Sequence, residues 1–329
     1  MVEPASTGAA WVYFTGSKAH NIALRRIAQA LDLKLNEYGL FRDNERIAGA
    51  TEQEVYAALG LDWIPPELRE DDGEIEAAQA HALPALVERA DLRGEPGVQA
   101  GAAGGHTLQA MAQAARAQGL AWMAVTATTF GERGIDADGL ARQSDAIDVL
   151  NEAVPDFTVL RGVEVEILRD GRLALPDSVL ERMEVVVGCV RTDVDLSRQH
   201  QTDRLLRALD NPHLRILGAM HGGRFDVDWS RVLHSAHQRG CHLEMQAGCD
   251  QPDAALCRQA RDAGVLVSLS ARPSAPADFA RLDHVLFQAR RGWLRRIDIL
   301  NTRPLDELHA LLAPRRGGSA ARRDRPALH

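Results

Sequence analysis

The sequence predicts an α/β protein in which a small α+β unit precedes a parallel strand–helix barrel. Three observations carry this. The chain has 329 residues, 45% of them hydrophobic, enough for one large core and a smaller one. From about Asp91, short apolar β-rich runs alternate with helical stretches, which is the order of a parallel sheet covered by helices. Before Asp91 the texture is different, with helix starts, short strands and a proline segment in place of the alternation.

Residues 1–10 show no periodic pattern and are read as disordered. "WVYFTGSKAHNIALRR" follows, from Trp11 to Arg26. Ser17 stands where a helix N-cap belongs. Behind it Ile22, Ile27 and Leu31 are expected to form the buried face of a helix, while Lys18, Asn21 and Arg25 recur at spacings of three and four on another face. "LKLNEYGLF" and "ERIAGA" read as two strands. Thr51 with Glu54 makes a capping box for "EQEVYAALG", which ends at Gly60. "WIPPELRED" is a rigid proline segment.

The second part reads "WMAVTA", "TVLRGVEVEIL", "MEVVVGCV", "RILGAM", "CHLEMQA" and "VLVSLS" as strands. "LQAMAQAARAQG", "LARQSDAIDVLNEAV", "TDRLLRALDN", "WSRVLHSAHQRG" and "ALCRQARDAG" are the helices between them. So many repeats suggest a closed barrel, whose chemistry would sit where strands end. The last stretch, 314–329, is basic, rich in Gly and Ala and without periodicity, and is read as a disordered tail able to touch phosphates weakly.

Composition excludes some classes. No apolar run reaches the ~18 residues of a membrane span, and no basic-then-apolar leader opens the chain. Cys189, Cys241, Cys249 and Cys257 form no CxxC pair, which suits reduced thiols in the cytoplasm. A net charge of −8 argues against a generally nucleic-acid-coated surface. Residues 1–93 carry nine Lys/Arg against sixteen Asp/Glu, so any DNA contact there must be local.

"YFTGSKAHNIALRR", "LKLNEYGLF", "ATEQEVYAALGLDWIPPELRE" and "RADLRG" resemble the thumb subdomain and connector of bacterial family X DNA polymerases. "GVEVEIL", "ALPDSVLERMEVVV", "DVDWSRV" and "ARRGWLRRIDILNTRPLDEL" resemble the PHP (polymerase and histidinol phosphatase) domain that follows in those enzymes. The resemblance runs in order from about Trp11 to Leu312. It implies a thumb at 11–70, a connector at 71–93 and a PHP-type irregular (β/α)7 barrel at 94–313.

By this resemblance Tyr13 and Phe14 would pack the sugar of an incoming nucleotide and Gly16 would permit close backbone approach. Asn21 would reach the minor-groove edge of the incoming base, and Arg25 the template side. A donor there tests pair geometry without naming the base, because minor-groove acceptors are nearly sequence-independent. In the family the fingers and palm precede the thumb, and the palm supplies the carboxylates that hold two metals. Ten residues precede the thumb here, so the expectation is a truncated or split polymerase that cannot polymerise alone, with a separately encoded palm/fingers polypeptide as a partner.

The family's barrel holds Mg2+ or Mn2+ through a set of side chains, mostly histidines. The matching positions here are Gly97 and Gln99 for an H-x-H pair, then Gly104, Thr128, Arg191, Ala219, Arg272 and Ser274. Glu164 is retained, and His221 lies two residues beyond Ala219. Permanently charged guanidinium groups at Arg191 and Arg272 oppose a divalent cation and cannot become ligands. The expectation is therefore no catalytic residue, no cofactor, and one arginine paired with Glu164. His234 and His237, three apart on one helix, are read as a polar face.

The leading reading is a non-catalytic, DNA-contacting module of the DNA repair type, a pseudoenzyme. Two alternatives stand beside it. One is a PHP phosphoesterase or 3'-5' exonuclease rebuilt on Glu164, His221 and Asp226 or Asp228. The other is an interaction scaffold that no longer touches nucleic acid.

Overall fold

The computed structural model describes residues 2–100, 106–131, 134–220, 225–249 and 252–314. These fall into two compact units, Met1–Val87 with Phe287–Arg295, and Glu88–Leu286 with the chain from Arg296 onward. The tail expected to be disordered lies, from residue 315, outside the described residues.

In the first unit α1 (Thr7–Phe14), α2 (Lys18–Ala30), α3 (Glu52–Ala58) and α4 (Glu74–Gln79) surround a small antiparallel sheet. Its strands are β1 (Lys34–Asn36), β2 (Gly39–Arg42) and β3 (Glu45–Ala48), in that order. The segment expected as one strand, "LKLNEYGLF", is thus a hairpin with Lys34 opposite Phe41. Both predicted caps form. Ser17 Oγ accepts from the His20 amide at 3.1 Å, and Thr51 and Glu54 complete a capping box.

Three expectations need correction. Residues 4–10 are not disordered: Pro4–Ser6 is a 3-10 turn and α1 begins at Thr7, burying Ala9, Ala10 and Val12. Gly8 lies so close to Thr51 that a Cβ would stand 2.1 Å from its carbonyl carbon, which anchors the start of the chain on α3. The buried face of α2 is His20, Leu24 and Ala28, at i, i+4 and i+8. Ile22 and Leu31 are exposed. The stretch 71–93 is more than a connector, because α4 adds Ile75 and Ala78 to the core of Leu24, Leu40, Val55, Tyr56 and Ile64.

The second unit is a seven-stranded parallel sheet. In chain order it contains β4 (Gly94–Val98), α5 (Leu108–Ala117), β5 (Trp122–Thr128), α6 (Ala137–Ala153), β6 (Thr158–Glu166), α7 (Asp177–Leu180) and β7 (Val185–Val190). Then come α8 (Arg198–Ala208), β8 (Ile216–Met220), α9 (Trp229–Arg239), β9 (His242–Gln246), α10 (Ala254–Asp262), β10 (Val267–Ser270), the first half of α11 (Leu282–Arg291), whose second half belongs to the first unit, and α12 (Leu305–Leu312). Strands pair in sequence order from β4 to β10. Strands buried on both faces read as continuous apolar runs, such as "VVVGCV" in β7.

Side chains draw the two edge strands together and nearly close the barrel. Asn301 donates to the Gly94 and Leu269 carbonyls at 2.9 and 3.0 Å and accepts from the Leu269 amide at 3.0 Å. At the other end of the seam, Glu95 on β4 accepts from the Ser270 hydroxyl at 2.8 Å and the Ala271 amide at 3.0 Å. Among the described residues no helix is long and apolar enough to cross a membrane.

Candidate functional sites: the thumb helix and the barrel mouth

The turn between α1 and α2 sets the first site. Gly16 has φ +95°, and a Cβ there would lie 2.5 Å from Arg69 Cβ, so its close backbone approach is to Arg69. The Ser17 amide donates to the Arg69 carbonyl at 2.7 Å. Arg69 is fully buried and donates to Ile64 O at 2.9 Å and Glu52 Oε1 at 2.7 Å. The start of α2 therefore rests on a fixed charge pair.

Behind that helix lies a second buried set that sequence reading missed. His20 Nδ1 meets Glu74 Oε1 at 2.6 Å, and Nε2 meets the Tyr56 hydroxyl at 2.9 Å. Glu74 also accepts from the Asp71 and Asp72 amides at 2.8 and 2.7 Å. Burial alone would raise the Glu74 carboxyl, but the bonds from His20 and these amides hold it below the usual range. Burial pushes the Tyr56 hydroxyl above its ordinary value. The available signal was His20 itself, a polar residue in register with Leu24 and Ala28.

On the open side of α2, Tyr13 and Phe14 stand edge to face with centroids 5.0 Å apart. Phe14 is 75% exposed, and Arg25 lies 5.1 Å over the Tyr13 ring. Asn21 donates to the carbonyls of Tyr13 and Ser17, each at 3.2 Å. The structure thus brings Tyr13, Phe14, Asn21 and Arg25 to one face, with Gly16 in the turn beneath.

The second site is at the carboxyl ends of the barrel strands. Glu164, near the end of β6, has a side chain only 6% exposed. Its Oε1 accepts from Arg191 Nη2 at 3.0 Å and from the Cys189 thiol at 3.0 Å. Its Oε2 accepts from Arg272 Nη2 at 2.5 Å. Sequence reading expected one guanidinium on Glu164; both are there. Arg191 also lies 4.4 Å over the Phe130 ring. The amide orientation of Gln246 that satisfies both groups accepts from Arg272 Nη1 at 3.0 Å and Nε at 3.2 Å. Arg272 adopts φ +46° to reach this position, an uncommon conformation for a side-chain-bearing residue. Buried Cys189 has its thiol pushed well above the usual value by burial and then by Glu164 and Glu244.

Three other matched positions among the described residues are filled rather than open. A Cβ on Gly97 would lie 2.1 Å from Ser270 Oγ. Gln99 Nε2 donates to the Thr126 carbonyl at 2.6 Å. Ser274 donates through its amide and hydroxyl to Asp278 at 3.0 and 3.1 Å. The void lined by Gly97, Gln99, Glu164, Glu244, Gln246 and Arg272 measures about 10 Å³, room for one water at most. Outside it, Thr128, Phe130, Glu166, Arg191, Thr192 and Arg272 line an open cleft of about 610 Å³. Ala219 lies in β8; Gly104 and His221 lie outside the described residues.

Asp228 caps α9 and Asp226 pairs with Arg198 at 3.8 Å, so both acids are engaged away from Glu164. His237 bonds the Gly264 carbonyl and His234 bonds Gln238, as a polar helix face would. Among the described residues no group of three or more His, Cys, Asp or Glu could hold a metal ion. Among the described residues, the Mg2+ or Mn2+ that the resemblance implies does not fit, because two fixed cations hold the carboxylate of Glu164.

Comparison with known proteins matches residues 10–70 to the DNA polymerase beta thumb. The chain is 29% identical over 314 residues to the DNA polymerase/3'-5' exonuclease PolX of Bacillus subtilis, covering 91% of this chain and 55% of that protein. It therefore spans about half the length of that relative. A protein of Thermoanaerobacter named a probable phosphatase is 24% identical over 170 residues, 47% of this chain and 69% of that one. Among solved structures, histidinol phosphate phosphatase from Lactococcus lactis aligns with a TM-score of 0.44 at 12% identity, over 62% of this chain and 95% of that one. The chain is a thumb domain followed by a PHP-like domain and resembles the C-terminal region of PolX.

Proposed function

We propose that these two units form a DNA-contacting module whose barrel no longer performs metal-dependent hydrolysis. The single observation behind this reading is the double grip of Arg191 and Arg272 on Glu164. A divalent cation about 5 Å from a guanidinium at an effective dielectric near 20 is repelled by several kcal/mol. No proton can leave the guanidinium to relieve that cost. What the first unit offers is a helix with Asn21 and Arg25 on one face beside exposed Phe14. The similarity to a Bacillus subtilis protein named DNA polymerase/3'-5' exonuclease supports DNA as the partner of that face.

The test has two arms on the purified full chain. Fluorescence anisotropy with a gapped duplex is expected to show binding that weakens as salt rises and by about tenfold on Arg25→Ala. Release of mononucleotides from single-stranded DNA with Mn2+ is expected to stay at background. Release that Glu164→Gln abolishes would establish the phosphoesterase reading instead, and binding to no DNA would favour a scaffold.

A further inference from the structure

We propose that a groove at the amino ends of β6 and β7 is the docking site of the chain's own basic segment, residues 315–329. The groove measures about 480 Å³ and is walled by α6, the start of β6, the turn ahead of β7 and the end of α12. It lies at the end of the barrel opposite Glu164, which stands near the carboxyl end of β6. Leu160, Met183 and Leu312 give it apolar surface, on which the methylene stems of arginines can lie. Its polar lining is acidic. The carboxylates of Asp145, Asp148, Glu181 and Glu184 share it with the guanidinium groups of Arg161 and Arg182, for a net charge of −2. Asp148 is paired with Arg161, and Glu184 accepts the Arg161 amide at 2.9 Å with His309 3.9 Å away. Asp145 and Glu181 are exposed, and among the described residues neither carboxylate has an ion pair or hydrogen bond. Val149, one turn beyond Asp145 on α6, is 68% exposed.

The occupant follows from where the chain leaves the groove. Pro314 is part of its wall, so the segment that follows is tethered there. Over 315–329 the sequence carries five arginines, Arg315, Arg316, Arg322, Arg323 and Arg325, against Asp324. The segment is cationic where the groove is anionic. A guanidinium meets a carboxylate through two parallel N–H bonds and keeps its charge throughout the physiological pH range. Tethering matters more than the strength of any one pair. A segment joined to the rim meets the groove at a millimolar effective concentration, so exposed pairs that are individually weak suffice together. A separate basic partner would meet the same acids without that advantage.

Carboxylate footprinting of the full chain tests this. Carbodiimide coupling to glycine ethyl ester, read by mass spectrometry, labels carboxylates that nothing covers. The comparison is with a full-length variant in which Arg315, Arg316, Arg322, Arg323 and Arg325 are all glutamine, changes that touch no residue of the described core. Labelling of Asp145 and Glu181, relative to exposed Asp43 in the first unit, is expected to be about threefold higher in that variant. Raising NaCl to about 0.5 M, where charges are screened within about 4 Å, should bring the wild type to the same level. Equal labelling of the two chains at low salt overturns the inference. The protection should be the same in dilute and concentrated protein; protection that grows with concentration places the segment in a second copy and overturns docking within one chain. From the other side, Asp145→Asn with Glu181→Gln should let trypsin cut within 315–325 about threefold faster, and unchanged cutting overturns the inference as well.

Discussion

Replacing Glu164 by glutamine removes the one charge that two arginines share. Their guanidinium groups reach the same carboxylate at 3.0 and 2.5 Å, which places the two cations roughly 6 Å apart, where repulsion at an effective dielectric near 20 is about 3 kcal/mol. Arg191 and Arg272 are 27% and 21% exposed, so solvent screens part of this. Two charge-assisted bonds also weaken. Glu164→Gln is therefore expected to destabilise the barrel by about 2–4 kcal/mol, somewhat less than the about 3–5 kcal/mol for breaking a fully buried pair. In a domain this large that lowers Tm by roughly 5–15 °C. The assay is thermal unfolding of the full chain in chelator and again in excess Mn2+. The wild type should melt at the same temperature in both, since a metal at a hundred times its Kd would add about 2.7 kcal/mol. A Glu164→Gln protein as stable as wild type, or a wild type that Mn2+ raises by several degrees, would refute the idea that guanidinium groups took over this position.

Three other outcomes follow from the same geometry. Burial raises the Glu95 carboxyl to about 7 from 4.5, so between those values the folded chain keeps a proton that the unfolded chain has lost; this group's contribution to stability falls as pH rises from 5 to 8, by at most about 3 kcal/mol, and Glu95→Gln should flatten that slope in urea titrations. Gly97→His should not restore a metal ligand, because its Cβ would meet Ser270 Oγ at 2.1 Å; calorimetry should find no tighter Zn2+ or Mn2+ binding and a lower Tm. His20→Leu removes a partner from buried Glu74 and Tyr56 and should cost the first unit about 2–3 kcal/mol, measured by urea unfolding, with His20→Gln milder if one of the two bonds is remade.

How much of this was legible depends on the distance over which each cause acts. Caps are local, and both Ser17 and Thr51 with Glu54 were readable from three-residue spacings. The alternation of strands and helices exposed the barrel for the same reason. The guanidinium–carboxylate pair was readable as chemistry, because a lone buried carboxylate requires a cation. That both arginines converge was not, since it depends on how β6, β7 and the end of β10 align. The seam was invisible: Asn301 and Glu95 bond partners 207 and 175 residues away in sequence. The buried stripe of α2 was set on Ile22, Ile27 and Leu31 because only apolar residues were counted, and the stripe that forms begins with a histidine, His20. The ten opening residues misled because Gly and Ala carry little pattern, although small residues are what the contact of Gly8 with Thr51 demands.

The changes at the barrel mouth depend on one another. A carboxylate in a nearly closed barrel cannot stay ionised without compensation. Two guanidinium groups satisfy Glu164, and the amide of Gln246 takes two further donors of Arg272. The small side of Gly97 leaves room for the Ser270 hydroxyl, which bonds Glu95 and so helps to hold β10 against β4. Restoring one histidine would therefore displace the seam as well as fail to gather a metal. Changing Arg191, Arg272 or Gly97 alone therefore leaves a buried charge or a collision behind. That coupling ties the pairs on Glu164 to the seam between β10 and β4.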